Sequence, residues 1–236
     1  MRENALSIAF GVLFLVTLSV QSVVGWHVHQ DEASAHGETA MGYGRFVVSS
    51  EFGQAVLENW QSEYLQFVLF ILLTVWLVQR GSPESKAPGK EGLESDEEQQ
   101  IGRHATDDSP AWARAGGWRT RVFSSSLLTL MTAFFLLSWA GQSLTGWRLN
   151  NEERAAHGEA ALSWLDYVRS AHFWEPTLQN WQSEFLAVGT FAIVTVFLRQ
   201  RGSPESKPVG APHAETGTDS AASQREFRAI RSSRHG

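Results

Sequence analysis

The octapeptide Gln79-Arg80-Gly81-Ser82-Pro83-Glu84-Ser85-Lys86 recurs unchanged as Gln200 to Lys207, 121 residues further on. The same shift lays residues 5–86 on 126–207 without a gap. Gln21-Ser22 falls on Gln142-Ser143, and Gly25-Trp26 on Gly146-Trp147. His36-Gly37-Glu38 falls on His157-Gly158-Glu159, and Asn59-Trp60-Gln61-Ser62-Glu63 on Asn180-Trp181-Gln182-Ser183-Glu184. From Gln21 to Lys86 roughly half of the positions are identical, which reads as a tandem duplication.

Each repeat opens on an apolar run. Ala5 to Val24 carries no charge over twenty residues; at ~1.5 Å per residue that crosses a hydrocarbon layer of ~30 Å. A cleaved signal peptide is set aside, because Ser126 to Thr145 repeats the segment inside the chain and no small-residue cleavage site follows Val24. The second runs, Tyr64 to Val78 and Phe185 to Leu198, cover only about 22 Å. Each helix must therefore continue upstream through the NWQSE motif. Pro176 suits a first helical position and suggests a start near Glu175, which corresponds to Gln54 in the first repeat. The expected fold is all-α: a four-transmembrane-helix bundle from a duplicated two-helix unit, with short amphipathic helices in the two outer loops.

Charge sets the expected orientation. Only Arg45 in the first loop, and Arg148, Arg154 and Arg169 in the second, lie between the helices of a repeat. The other fifteen Lys and Arg lie at the N-terminus, in the central linker or in the tail. The positive-inside rule then places both termini in the cytoplasm and both loops outside, in a multi-pass membrane protein. The axis relating the repeats would run along the membrane normal. The expected boundaries are residues 1–86 for the first membrane repeat, 87–117 for a disordered acidic cytoplasmic linker, 118–208 for the second membrane repeat and 209–236 for a disordered cytoplasmic tail.

Whole-chain composition is less telling. A net charge of -6 gives no basic field for nucleic acid, and the absence of cysteine excludes disulfides and thiolate chemistry. Ten Trp suit membrane–water interfaces, where the ring is apolar and the N–H finds a polar partner.

Polar residues within the apolar runs are the first candidates for function. Gln21 lies about 24 Å along its helix from Ala5, and Glu63 lies about 22 Å from Val78, which puts them at similar depth. Asn59 and Glu63 share a helix face. The expectation is a cluster of Gln21, Asn59 and Glu63, repeated as Gln142, Asn180 and Glu184. It serves either as interhelical packing, the favoured reading, or as a proton or ion path. In the outer loops Glu32, His36 and Glu38, with Glu153, His157 and Glu159, could hold a divalent metal, although Gly after His also suits a plain helix end. No other cofactor is expected. Ser163 to Asp166 reads as a capping box opening a surface helix, weaker in the first loop because of Gly42 and Gly44.

The endings GQS-x-x-GW, the HGE motif, Phe173 with Asn180 to Leu186, and Arg201 to Lys207 together resemble a family of bacterial integral membrane proteins described only as a domain of unknown function, family 6766. The resemblance implies the topology and carries no catalytic residue. No nucleophile–base set, phosphate loop or HExxH is present, so an enzyme is not expected. The leading expectation is a structural or accessory membrane protein in the lipid bilayer, engaging a membrane-protein partner or a homo-oligomer. The alternatives are a small cation, proton or solute transporter or channel using Glu63 and Glu184, and metal binding through His36 and His157.

Overall fold

The computed structural model describes residues 2–217; the part of the expected tail from 218 to 236 lies outside the described residues. Among the described residues the chain is all-α. Two long helices belong to the first repeat, α1 (Ala5–His36) and α3 (Ser50–Trp76), with the short α2 (Tyr43–Phe46) between them. The linker carries α4 (Ala111–Ala115), and α5 (Gly117–Ser124) leads from it into the second repeat. The second repeat forms α6 (Ser126–Ala156), the short α7 (Trp164–Val168) and α8 (Ala171–Phe197). The chain divides into two compact units, one holding the chain up to Gln61 with Leu137–Thr177, the other Ser62–Leu136 with the chain from Leu178 onward.

α1 and α6 are long and apolar enough to cross a membrane. Of their most apolar stretches only 6% and 17% of residues are buried, so neither is packed as a buried core helix. Leu6, Phe10 and Val16 on α1, and Leu127, Leu136 and Leu137 on α6, are exposed. α6 lies mid-chain, so it is not a signal sequence either. The first unit buries polar side chains, Ser22, Gln61, Gln142, Ser143 and Thr177, together with the aromatic rings of Phe46, Phe52, Tyr167 and Phe173.

α3 and α8 both carry the NWQSE motif in mid-helix, as its apolar tail requires. Both begin earlier than the sequence suggests, at Ser50 and Ala171 rather than near Gln54 and Glu175. In the first repeat the Ser49 hydroxyl accepts the Phe52 N–H and caps the helix start. In the second, Pro176 does not take the first helical position but lies inside α8, five residues after Ala171, where the ring removes the i to i−4 bond that His172 O would otherwise accept. At the other end of α1 and α6, Gly37 and Gly158 adopt φ of 70° and 71°. Their position lets the Glu38 and Glu159 amides bond back to Ala33 O and Arg154 O, which closes both helices.

Candidate functional site

In the first unit both outer loops are tied down by the same three devices. The Trp26 indole donates to Met41 O at 2.9 Å, and the Trp147 indole to Leu162 O at 2.8 Å. The Ser22 hydroxyl meets the Tyr43 hydroxyl, and the Ser143 hydroxyl accepts the Trp164 indole. Phe46 and Tyr167, both buried, pack at a tilt and edge-on against Phe52 and Phe173 with ring centres 5.5 and 5.8 Å apart. Gly25 and Gly146 make room for these rings: a Cβ on Gly25 would lie 3.1 Å from Phe46 Cζ, and one on Gly146 only 2.2 Å from the Tyr167 hydroxyl. In α7 the Ser163 hydroxyl accepts the Asp166 N–H, the N-cap half of the expected capping box, and donates to the Asp166 carboxylate rather than leaving that carboxylate to the Ser163 amide.

The Tyr167 hydroxyl, absent from Phe46, leads to a buried polar cluster. Gln142 is 1% exposed and donates from Nε2 to Thr177 Oγ1 at 3.1 Å. Thr177 is fully buried and spends its own proton on Phe173 O. The side chains of Gln54 and Gln142 hydrogen-bond Glu58, and Glu175 lies near enough to act on it electrostatically. Burial, and after it the charge of Glu58, pushes the Tyr167 phenol up to about 12, so it remains a donor at all ordinary pH. Three acceptors of the cluster have no hydrogen-bond partner although they are buried: Gln54 Oε1, Glu58 Oε1 and Gln142 Oε1.

The second unit holds the two QRGSPESK turns, which share their core hydrogen bonds. Gly81 and Gly202 take φ of 88° and 86°, and the Ser82 and Ser203 amides reach back to Gln79 O and Gln200 O. Ser82 Oγ and Ser203 Oγ accept the Glu84 and Glu205 amides, each at 3.2 Å. Ser85 Oγ and Ser206 Oγ accept the Gln79 and Gln200 amides, each at 2.9 Å. The closing lysines draw in the next few residues of the chain. Lys86 donates to Gly92 O, and the buried Lys207 to the carbonyls of Pro212, His213 and Glu215.

This unit also brings equivalent glutamates together. Glu84 and Glu205 hydrogen-bond side chain to side chain. Burial first, then the bond to Glu205 and its charge, push the Glu84 carboxyl up from 4.5 to about 7. The pair lines a cavity of about 360 Å³ whose walls come from matching positions of the repeats, Phe67 with Val188 and Phe70 with Phe191, Gln66 standing opposite to Ala187 in sequence. Glu184 is hydrogen-bonded by Ser62 and lies within electrostatic reach of Glu63.

The residues singled out in the sequence fare differently. Gln21, Asn59 and Glu63 are exposed, and the Asn59 amide donates to Ala55 O in its own helix. Gln142 is buried and bonds Thr177; Asn180 and Glu184 are half-buried. Glu32, His36, Glu38, Glu153, His157 and Glu159 are all exposed, with His157 on the Glu153 carbonyl and Glu159 paired to Arg154. Among the described residues no three His, Asp or Glu gather to hold a metal. Sequence reasoning missed Gln54, Glu58 and Tyr167. The available signal was the exchange of Gln54 and Glu58 for Glu175 and Gln179 at matching positions, which keeps one amide and one carboxylate four residues apart in each repeat.

The model of one family, described as a domain of unknown function, DUF6766, matches residues 1–218. The chain belongs to this family. No curated protein and no solved structure matches the chain. The family match spans both repeats and the linker between them, so the paired turns and the Gln142 cluster all fall inside the family's domain.

Proposed function

We propose that the chain is a duplicated four-span membrane protein, non-enzymatic, with cytoplasmic termini, that carries protons along the face where α3 and α8 present matching residues in the second unit. The observation that carries this reading is the cavity lined in equivalent pairs and bordered by the Glu84–Glu205 carboxyls. Duplicated membrane proteins place their sites at the repeat interface, and a carboxyl poised near 7 can take up and release a proton at neutral pH. The test is proton flux into liposomes under an imposed potential, followed with an enclosed pH dye. Wild type should conduct, and Glu84→Gln/Glu205→Gln should conduct at least tenfold less. Wild-type flux no greater than that of empty vesicles overturns the reading.

A structural or accessory role has an observation of its own. α1 is almost unburied along its apolar length, and an open apolar groove of about 700 Å³ runs past Phe70, Leu73, Val188 and Gly189 in the second unit. Both surfaces suit a partner helix as well as lipid. Cross-linking in native membranes, with α1 and Gly189 carrying the photoreactive side chain, should trap a protein rather than lipid alone if this reading is right.

A further inference from the structure

We propose that Gln54, Glu58 and Gln142 form a binding site for a monovalent alkali cation. Three oxygens of the cluster, Gln54 Oε1, Glu58 Oε1 and Gln142 Oε1, are buried without a hydrogen-bond donor. Acceptors removed from water and left unpaired are rare in folded proteins, and such a group calls for an explanation. Reversing the Gln142 amide does not supply one. Thr177 Oγ1 already donates to Phe173 O and can only accept, so Gln142 must turn its NH2 toward it and leave Oε1 facing away.

The chemistry of the set selects the ligand. Two amide oxygens and a carboxylate are hard oxygen donors that suit alkali and alkaline-earth ions, and no imidazole or sulfur stands among them. The formal charge of the trio is a single minus one. A dedicated divalent site gathers more carboxylates than this, and the one other acid nearby, Glu175, is exposed. A single positive charge balances Glu58, which takes the Gln54 and Gln142 side chains while its Oε1 stays unpaired, and gives both orphaned amide oxygens an electrostatic partner. The surroundings are built around the trio: Thr177 orients Gln142, Gly146 admits the Tyr167 hydroxyl beside Gln54, and Gly141 lets Leu57 close against α6. The first repeat has no second such site. Its Gln21 is exposed, Val56 stands where Thr177 does in the second, and Phe46 lacks the hydroxyl of Tyr167.

The site rests on the first unit alone and is tested by binding, so its fate is separate from that of proton flux through the second. Detergent-purified protein is melted at constant ionic strength in NaCl, KCl or LiCl against N-methylglucamine chloride, and equilibrium binding of ²²Na⁺ is measured in parallel. At least one alkali ion should raise the midpoint saturably, and wild type should bind about one ion. Glu58→Gln, close in shape to the native residue, should lose both signals while keeping its helical content and a single elution peak. Glu84→Gln/Glu205→Gln should retain them. An equal midpoint in all four salts, or an undiminished alkali shift in Glu58→Gln, overturns the proposal. Should Glu58→Gln fail to fold, the wild-type measurements decide by themselves: no saturable shift in any alkali salt is then sufficient to discard the site.

Discussion

Gln21 and Gln142 occupy the same place in the repeated sequence, flanked alike by Ser, Gly and Trp, yet one is exposed and the other is almost fully buried. The two QRGSPESK turns are also identical in sequence, and they share their core set of hydrogen bonds. The difference lies in how far the partners are along the chain. In the turns each serine bonds an amide two to six residues away, so the octapeptide carries all it needs. Gln142 finds Thr177 thirty-five residues on, and there the repeats diverge: Thr177 corresponds to Val56 and Tyr167 to Phe46. Equal sequence yields equal structure only over the distance at which it supplies its own partners.

The largest expected effect opposes the two turns. Gly81 and Gly202 both hold positive φ, so alanine strains either one by about 1–2 kcal/mol. At Gly81 the new Cβ would also lie 2.3 Å from His213 O and 2.9 Å from Val196 Cγ1, whereas Gly202 faces open space. Gly81→Ala should therefore cost a further ~1–3 kcal/mol from overpacking, read as a lower unfolding midpoint and faster hydrogen exchange at residues 213–217. Equal losses for the two variants would mean that the segment carrying His213 does not seat on Gly81.

A smaller effect separates the loop anchors. Gly146→Ala drives a methyl into the Tyr167 hydroxyl and should cost ~1–3 kcal/mol, while Gly25→Ala, 3.1 Å from a ring edge that can shift, should cost less than about 1 kcal/mol. Adding Tyr167→Phe to Gly146→Ala makes the second loop resemble the first and should recover most of the loss. A double variant no better than Gly146→Ala would show that the hydroxyl is not the obstacle.

The smallest effect follows pH. The folded Glu84 carboxyl holds its proton up to about 7, against 4.5 for an unperturbed group. Its contribution to stability is therefore whole below 4.5 and is lost as the pH rises through about 7. The unfolding midpoint of wild type should fall by a few degrees between about pH 5 and 8, an effect kept small by the partial exposure of the pair. Glu84→Gln, which cannot ionise, should show a flatter profile. Coincident profiles would mean that the two carboxyls do not meet.

Much of the fold was legible because it is local. Long apolar runs become α1 and α6, Gly37 and Gly158 end them with backbone bonds a few residues long, and Ser163 with Asp166 opens α7. The course of α3 and α8 through NWQSE follows from length alone. The candidate site was legible only in part. Gln142 stood out as an amide in an apolar helix, but the carboxylate it bonds is Glu58, and a Gln and a Glu four residues apart are common at any polar helix start. Tyr167 carried no such signal, because nothing in its own neighbourhood announces that Gly146 would leave room for its hydroxyl.

By itself, then, the sequence determined the helices, the ends of α1 and α6, the repeated turns and the family, since each depends on residue periodicity or on hydrogen bonds spanning a few positions. Tertiary structure alone decided which of two identical glutamines is buried, which glutamates meet and which oxygens are left without donors. Those outcomes depend on partners tens of residues away, and a single methyl or hydroxyl at the distant position, Val56 or Thr177, Phe46 or Tyr167, distinguishes the two repeats there.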